Sequence, residues 1–199
     1  FNLTPVPGLN LAGPVTVQGL KLTGFTQAPA VRVTGNAAGT VLRGNQIGDS
    51  SGIVPRNQIG ISVSSGGVTI GGTTPGDANV IVGSLTDNVL VTGGSQIAIL
   101  GNYIGTDPSN PAHQASGQSG IRLTGPVPDM RIGGPEAGAG NVIAGILGWG
   151  IRMTGAAGVS MENNKIGMRA DRSPLGNGEG GMLLESGTSG VESKADAIA

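Results

Sequence analysis

The chain has 199 residues, a net charge of −1, 39 glycines, 12 prolines, 2% aromatic and 12% charged residues, and no cysteine. Zero Cys excludes disulfides, thiol nucleophiles and Cys zinc sites. The near-neutral charge argues against nucleic acid or anionic membrane as partners, and no apolar run reaches the roughly 18 residues of a membrane span, so no membrane insertion is expected.

Taken in order, residues 1–14 are Pro-rich and read as a cap or lead-in. From residue 15 the chain breaks into pieces of three to five residues, apolar at alternate positions and bounded by Gly or Asn. They fall into units of three: 15–17, 20–22 and 31–33; 40–42, 46–48 and 61–63; 68–70, 80–82 and 89–91. The series continues with 97–99, 103–105 and 121–123; 130–132, 142–144 and 151–153; and 159–161, 165–167 and 182–184. Residues 188–199 are polar, without amphipathic pattern, and read as a tail or linker. With a 37% hydrophobic share the chain can fill a core, but so few aromatics require one made of small aliphatic layers.

A repeat organises these pieces. VTIGGTTPGDANVIVG returns as MRIGGPEAGAGNVIAG; Ile70 and Ile132, Asn79 and Asn141, Asn102 and Asn164, and Ile104 and Ile166 all stand 62 positions apart. Alternation of period two sends one side chain inward and the next outward. Three such strands per turn, stacked turn on turn, describe an all-β parallel β-helix of about six coils over 15–187. The crossover rule makes it right-handed.

Stacking predicts ladders, since equivalent residues then lie about 4.8 Å apart. One is of isoleucine (Ile47, Ile81, Ile104, Ile143, Ile166) and one of asparagine (Asn45, Asn79, Asn102, Asn141, Asn164). Buried amides are costly alone but can bond to one another along the axis. A third row, Thr34, Ser64, Thr92, Thr124 and Thr154, is broken by Glu185.

The words GNYIGTD, IGG…GNVIAG and GIRMTG resemble the β-helix repeats of the pectin lyase-like superfamily, in particular large bacterial proteins carrying GN-x-IGTD and GNVI-x-G units. The resemblance covers residues 15–187 and rests on core, ladder and turn residues. It implies a secreted or cell-surface location and a choice among structural stalks, adhesins, polysaccharide lyases, glycoside hydrolases and phage tailspikes. The NTD, DD, GHG and RIK words of polygalacturonase-like members do not occur.

Candidate chemistry is sparse. The Asp49 and Asp107 turns belong to the repeat, and an Asp in a turn bonds its own backbone. Asp107 and Asp171 would form a catalytic pair only if both long loops folded alike. His113 sits in the loop PSNPAHQASGQS beside no obvious acid or nucleophile and reads as a solvated loop residue. Acids are scattered singly, so no metal and no cofactor is expected. Arg122 and Arg152 share the same outward position in neighbouring coils, where like charges opposite each other cost stability; a solvated face salt-bridged by nearby acids such as Glu179 and Glu185 is the first reading, and a bound anion the second. With Trp149 and Tyr103 they are the candidate ligand residues, for a polysaccharide. The sequence favours a non-catalytic spacer, scaffold or adhesive stalk over an enzyme, with neighbouring β-helix segments as further partners through end or side stacking.

Overall fold

Strands of two to six residues cannot stand alone; each is held by the equivalent strands one turn before and one turn after it. The computed structural model describes residues 5–51, 56–110 and 117–199. Its strands form three parallel sheets of seven strands each. Sheet A contains β1 (Leu9–Leu11), β4 (Pro29–Val33), β7 (Ile59–Val63), β10 (Asp87–Val91), β13 (Ser119–Thr124), β16 (Trp149–Thr154) and β19 (Gly180–Leu184). Sheet B contains β2 (Thr16–Gln18), β5 (Val41–Arg43), β8 (Thr69–Gly71), β11 (Ala98–Leu100), β14 (Met130–Gly133), β17 (Ala157–Glu162) and β20 (Ser189–Lys194). Sheet C contains β3 (Lys21–Leu22), β6 (Gln46–Ile47), β9 (Val80–Ile81), β12 (Tyr103–Ile104), β15 (Val142–Ile143), β18 (Lys165–Ile166) and β21 (Ala197–Ile198). The chain visits A, B and C in turn, so each rung is one strand of each sheet: a three-sided parallel β-solenoid.

The core is a set of aliphatic columns. Ile47, Ile81, Ile104, Ile143 and Ile166 line sheet C; Leu42, Ile70, Ile99, Ile132 and Met161 line sheet B; Ile61, Val89, Ile121 and Ile151 line sheet A, all buried. Between sheets B and C the asparagines form one continuous chain. Each Nδ2 donates to the Oδ1 of the next: Asn45 to Asn79 at 3.0 Å, Asn79 to Asn102 at 2.8 Å, Asn102 to Asn141 at 3.1 Å, and Asn141 to Asn164 at 2.9 Å. Each Nδ2 also donates to a backbone carbonyl of the preceding rung, as Asn102 does to Ile70 at 2.9 Å. The ladder is thus saturated, which is what permits amides in a core.

Both ends of the chain differ from expectation. Leu9–Leu11, inside the expected lead-in, pairs with β4 as the first strand of sheet A. Residues 188–199 are no loose tail: β20 pairs with β17, and β21 with β18. These additions lengthen each sheet to seven strands. The asparagine ladder also gains a step, since Asn164 Nδ2 donates to Asp196 Oδ1 at 2.8 Å.

Candidate functional site

Two places concentrate the polar residues outside the ladder: the outer face of sheet A and a trough across the outer face of sheet C.

On sheet A, Arg122 and Arg152 are in register on β13 and β16. The fold relieves their repulsion with its own carboxylates. Glu185, the residue that breaks the Thr row, accepts from Arg152 Nε at 2.9 Å and Nη2 at 2.7 Å, and from the Thr154 hydroxyl. The Arg152 hydrogen bonds and then that of Thr154 draw the Glu185 carboxyl down from 4.5 to about 2. Asp87 lies 4.0 Å from Arg122 and is only 3% exposed. Burial pushes its pKa up, against the pull of Ser119, Arg122 and Arg152. An anion from solution is therefore not required to hold the two arginines together.

Asp87 was not legible as a site residue. It stands one position along a repeat in which Pro29, Ile59, Ser119, Trp149 and Gly180 fill the equivalent places. The one signal was a lone acid in a column otherwise free of charge. Trp149 shares this column. It is half-buried, and its ring lies over Gly180, where a Cβ would come within 2.6 Å of Cζ3. Tyr103 is on another sheet.

Tyr103 lines the trough. Its neighbours in register are Val142 and then Lys165. Three adjoining hollows of about 270, 280 and 260 Å3 run over this row, and Val142 lines all of them. One wall carries Asp107, Arg169 and Asp171, and the other carries Thr73, Thr74 and Glu136. Tyr103 stands toward one end and Lys165 toward the other.

The fold brings Asp107 and Asp171 to the same hollow, yet both are engaged as turn acids. Asp107 Oδ1 accepts from Ser109 N at 2.9 Å, and its Oδ2 accepts from Ser50 Oγ at 2.7 Å. Asp171 Oδ1 accepts from Ser173 N at 2.9 Å, and the hydrogen bonds of Ser173 lower its pKa. Asp49 repeats the device, with Ser51 N at 2.8 Å, and the bonds from Ser51 and then Lys21 draw it to about 2. The three turns are a D-x-S repeat: Asp49–Ser51, Asp107–Ser109 and Asp171–Ser173. A carboxyl whose pKa is lowered in this way, as at Asp49 and Asp171, is a poor proton donor at neutral pH.

The cations of the trough are engaged too. Lys165 Nζ donates to the Ala170 carbonyl at 2.6 Å, and Arg169 Nη1 donates to that of Pro174 at 2.9 Å. Among the described residues no group of three or more His, Asp or Glu could hold a metal ion. His113 lies outside the described residues. Set against protein families, curated protein sequences and solved structures, the chain finds no match in any of the three.

Proposed function

We propose that this chain is a non-catalytic structural segment of a secreted or cell-surface protein, a spacer, scaffold or adhesive stalk whose terminal rungs stack on further β-solenoid rungs. The observation that carries the reading is the last rung. There the inward columns end on Leu184 and Ile198, which are 48% and 51% exposed. An apolar cross-section of this kind is what an adjoining rung covers, and uncovered sheet edges invite such pairing. The acids lend support, since those over the trough and along sheet A are bound into turns and ion pairs. The extracellular location follows the resemblance of the repeats.

The trough is where a polysaccharide would make contact. An aromatic ring offers an apolar face to a sugar, and an ammonium with two donors left can bond its hydroxyls. The alternative, a polysaccharide lyase or hydrolase, is separated by one experiment. The purified chain is incubated with neutral and acidic polysaccharides, and release of reducing and unsaturated ends is followed alongside retardation in affinity gels. The proposal expects no cleavage, and weak retardation at most, diminished in Tyr103→Ala. Release of products defeats it.

A further inference from the structure

The two outer rungs share the apolar columns of the solenoid, and neither carries the ladder asparagine. In sheet A, Leu9 and Leu11 of β1 open the columns that end on Met182 and Leu184 of β19. In sheet C, Leu22 opens the column that ends on Ile198, and in sheet B, Val17 opens the one that ends on Ser193. The ladder place breaks off at both ends. In the first rung it holds Leu20, 42% exposed, whose N–H donates to Asn45 Oδ1 at 3.0 Å. In the last rung it holds Asp196. Its Oδ1 accepts from Asn164 N and Nδ2, each at 2.8 Å, and its Oδ2 accepts from the Ser193 hydroxyl at 2.7 Å.

These ends are selective about what fits them. Inside the solenoid each asparagine gives an Nδ2 hydrogen to the Oδ1 of the rung after it. An ionised carboxylate only accepts. An asparagine-bearing rung set on Asp196 would turn one acceptor towards another, with no side-chain hydrogen between them. A rung with leucine at that place brings no acceptor and asks for no donor, and the first rung of this chain is such a rung. Laid on the last rung in the internal register, it sets Leu9 on Met182, Leu11 on Leu184 and Leu22 on Ile198, so three columns continue across the junction. In the fourth, Val17 meets Ser193, whose hydroxyl is already bonded. Outside, Thr16 faces Glu192, Gln18 faces Lys194 and Lys21 faces Ala197, so no like charges are opposed. A copy turned end over end fits worse. It reverses the order of sheets A, B and C around the axis, so at most one sheet meets its own kind. The sides of the last rung, with strands of five, six and two residues, do not match in any other order.

We infer that the last rung receives the first rung of a second copy of this chain, head to tail and in register with the internal rungs. Such a contact is heterologous and leaves each copy a free end for the next. The inference rests on the reading of the last rung as a stacking surface, and adds to it the partner, its polarity and its register.

A disulfide test is clean because the chain has no cysteine of its own. Asn10 and Leu183 hold equivalent outward places in β1 and β19. Across a head-to-tail junction they come within about 4.8 Å of each other, inside disulfide reach. Within one copy they are six rungs apart, roughly 29 Å. Asn10→Cys and Leu183→Cys are purified separately, mixed, oxidised gently and resolved on non-reducing gels, with mass spectrometry of the linked peptides. Wild type is sedimented at the same concentrations. The expected result is disulfide dimers many-fold more abundant in the mixture than with either variant alone, each joining one variant to the other. Leu183→Cys that links to itself as readily contradicts the inference, because the contact is then tail to tail. Wild type that forms larger species while the mixture yields no mixed dimer overturns the head-to-tail junction and leaves the stacking role standing. Wild type that stays monomeric, with no mixed dimer, overturns both.

Discussion

Asn102 shows how much one side chain carries in this fold. It receives Asn79 Nδ2 at 2.8 Å, and donates to Ile70 O at 2.9 Å and to Asn141 Oδ1 at 3.1 Å. Asn102→Ala leaves buried partners on both sides unmet and should lower unfolding free energy by about 2–3 kcal/mol in a denaturant titration. Glu185 gives a pH-dependent counterpart. Its folded pKa is depressed, so its stabilisation is complete above the ordinary value of 4.5 and is lost as the pH falls towards about 2. The melting temperatures of wild type and Glu185→Gln should therefore differ at neutral pH and converge across that window. Asp87 has the opposite sign: burial raises its pKa, so its ionised form weighs against the fold. Relative to wild type, Asp87→Asn should gain stability as the pH rises from below 3.8 to neutrality, a comparison made by melting at several pH values. The ladder was legible because one letter recurs at one place. Asp196 escaped notice because it keeps the shape of that residue while changing the letter. Asp87 owes its perturbation to burial, which only the assembled corner creates.

At the scale of the element, turns decide whether short strands can close into rungs. Gly48 follows the sheet C strand at φ +93°, and a Cβ there would overlap the Val82 carbonyl oxygen of the next rung. Gly48→Ala should cost at least about 2 kcal/mol, from backbone strain and collision together. A column residue fails differently: Ile104→Ala opens a cavity and should cost about 2–5 kcal/mol. Both values are read from denaturant titrations. The eighteen strands expected from the sequence all occur, shifted by a residue or two at their ends. The missed elements are at the extremities, for a physical reason. In β20 the column of Leu42, Ile70, Ile99, Ile132 and Met161 ends on Ser193. A polar residue at an inward place breaks the alternation that marks a strand.

The whole molecule is a stack in which each strand pairs with its equivalents in the rungs beside it, and the proposed role rests on what meets the two outer rungs. Composition made the stack legible: glycine for the corners, aliphatics for the columns, few aromatics because no layer is wide enough to need them. Function was less legible, because the residues that look chemical (Arg122, Arg152, Asp107, Asp171) are held by their own neighbours, and Tyr103 gained its trough only once loops distant in sequence folded beside it. The most direct test of the structural role is sedimentation velocity over a range of concentrations, with wild type beside a Leu184→Lys/Ile198→Lys double variant. If the last rung is a stacking surface, wild type forms larger species as concentration rises, and the variant, with charges set into the apolar cross-section, stays monomeric. A wild-type chain that remains monomeric throughout, indistinguishable from the variant, contradicts the account.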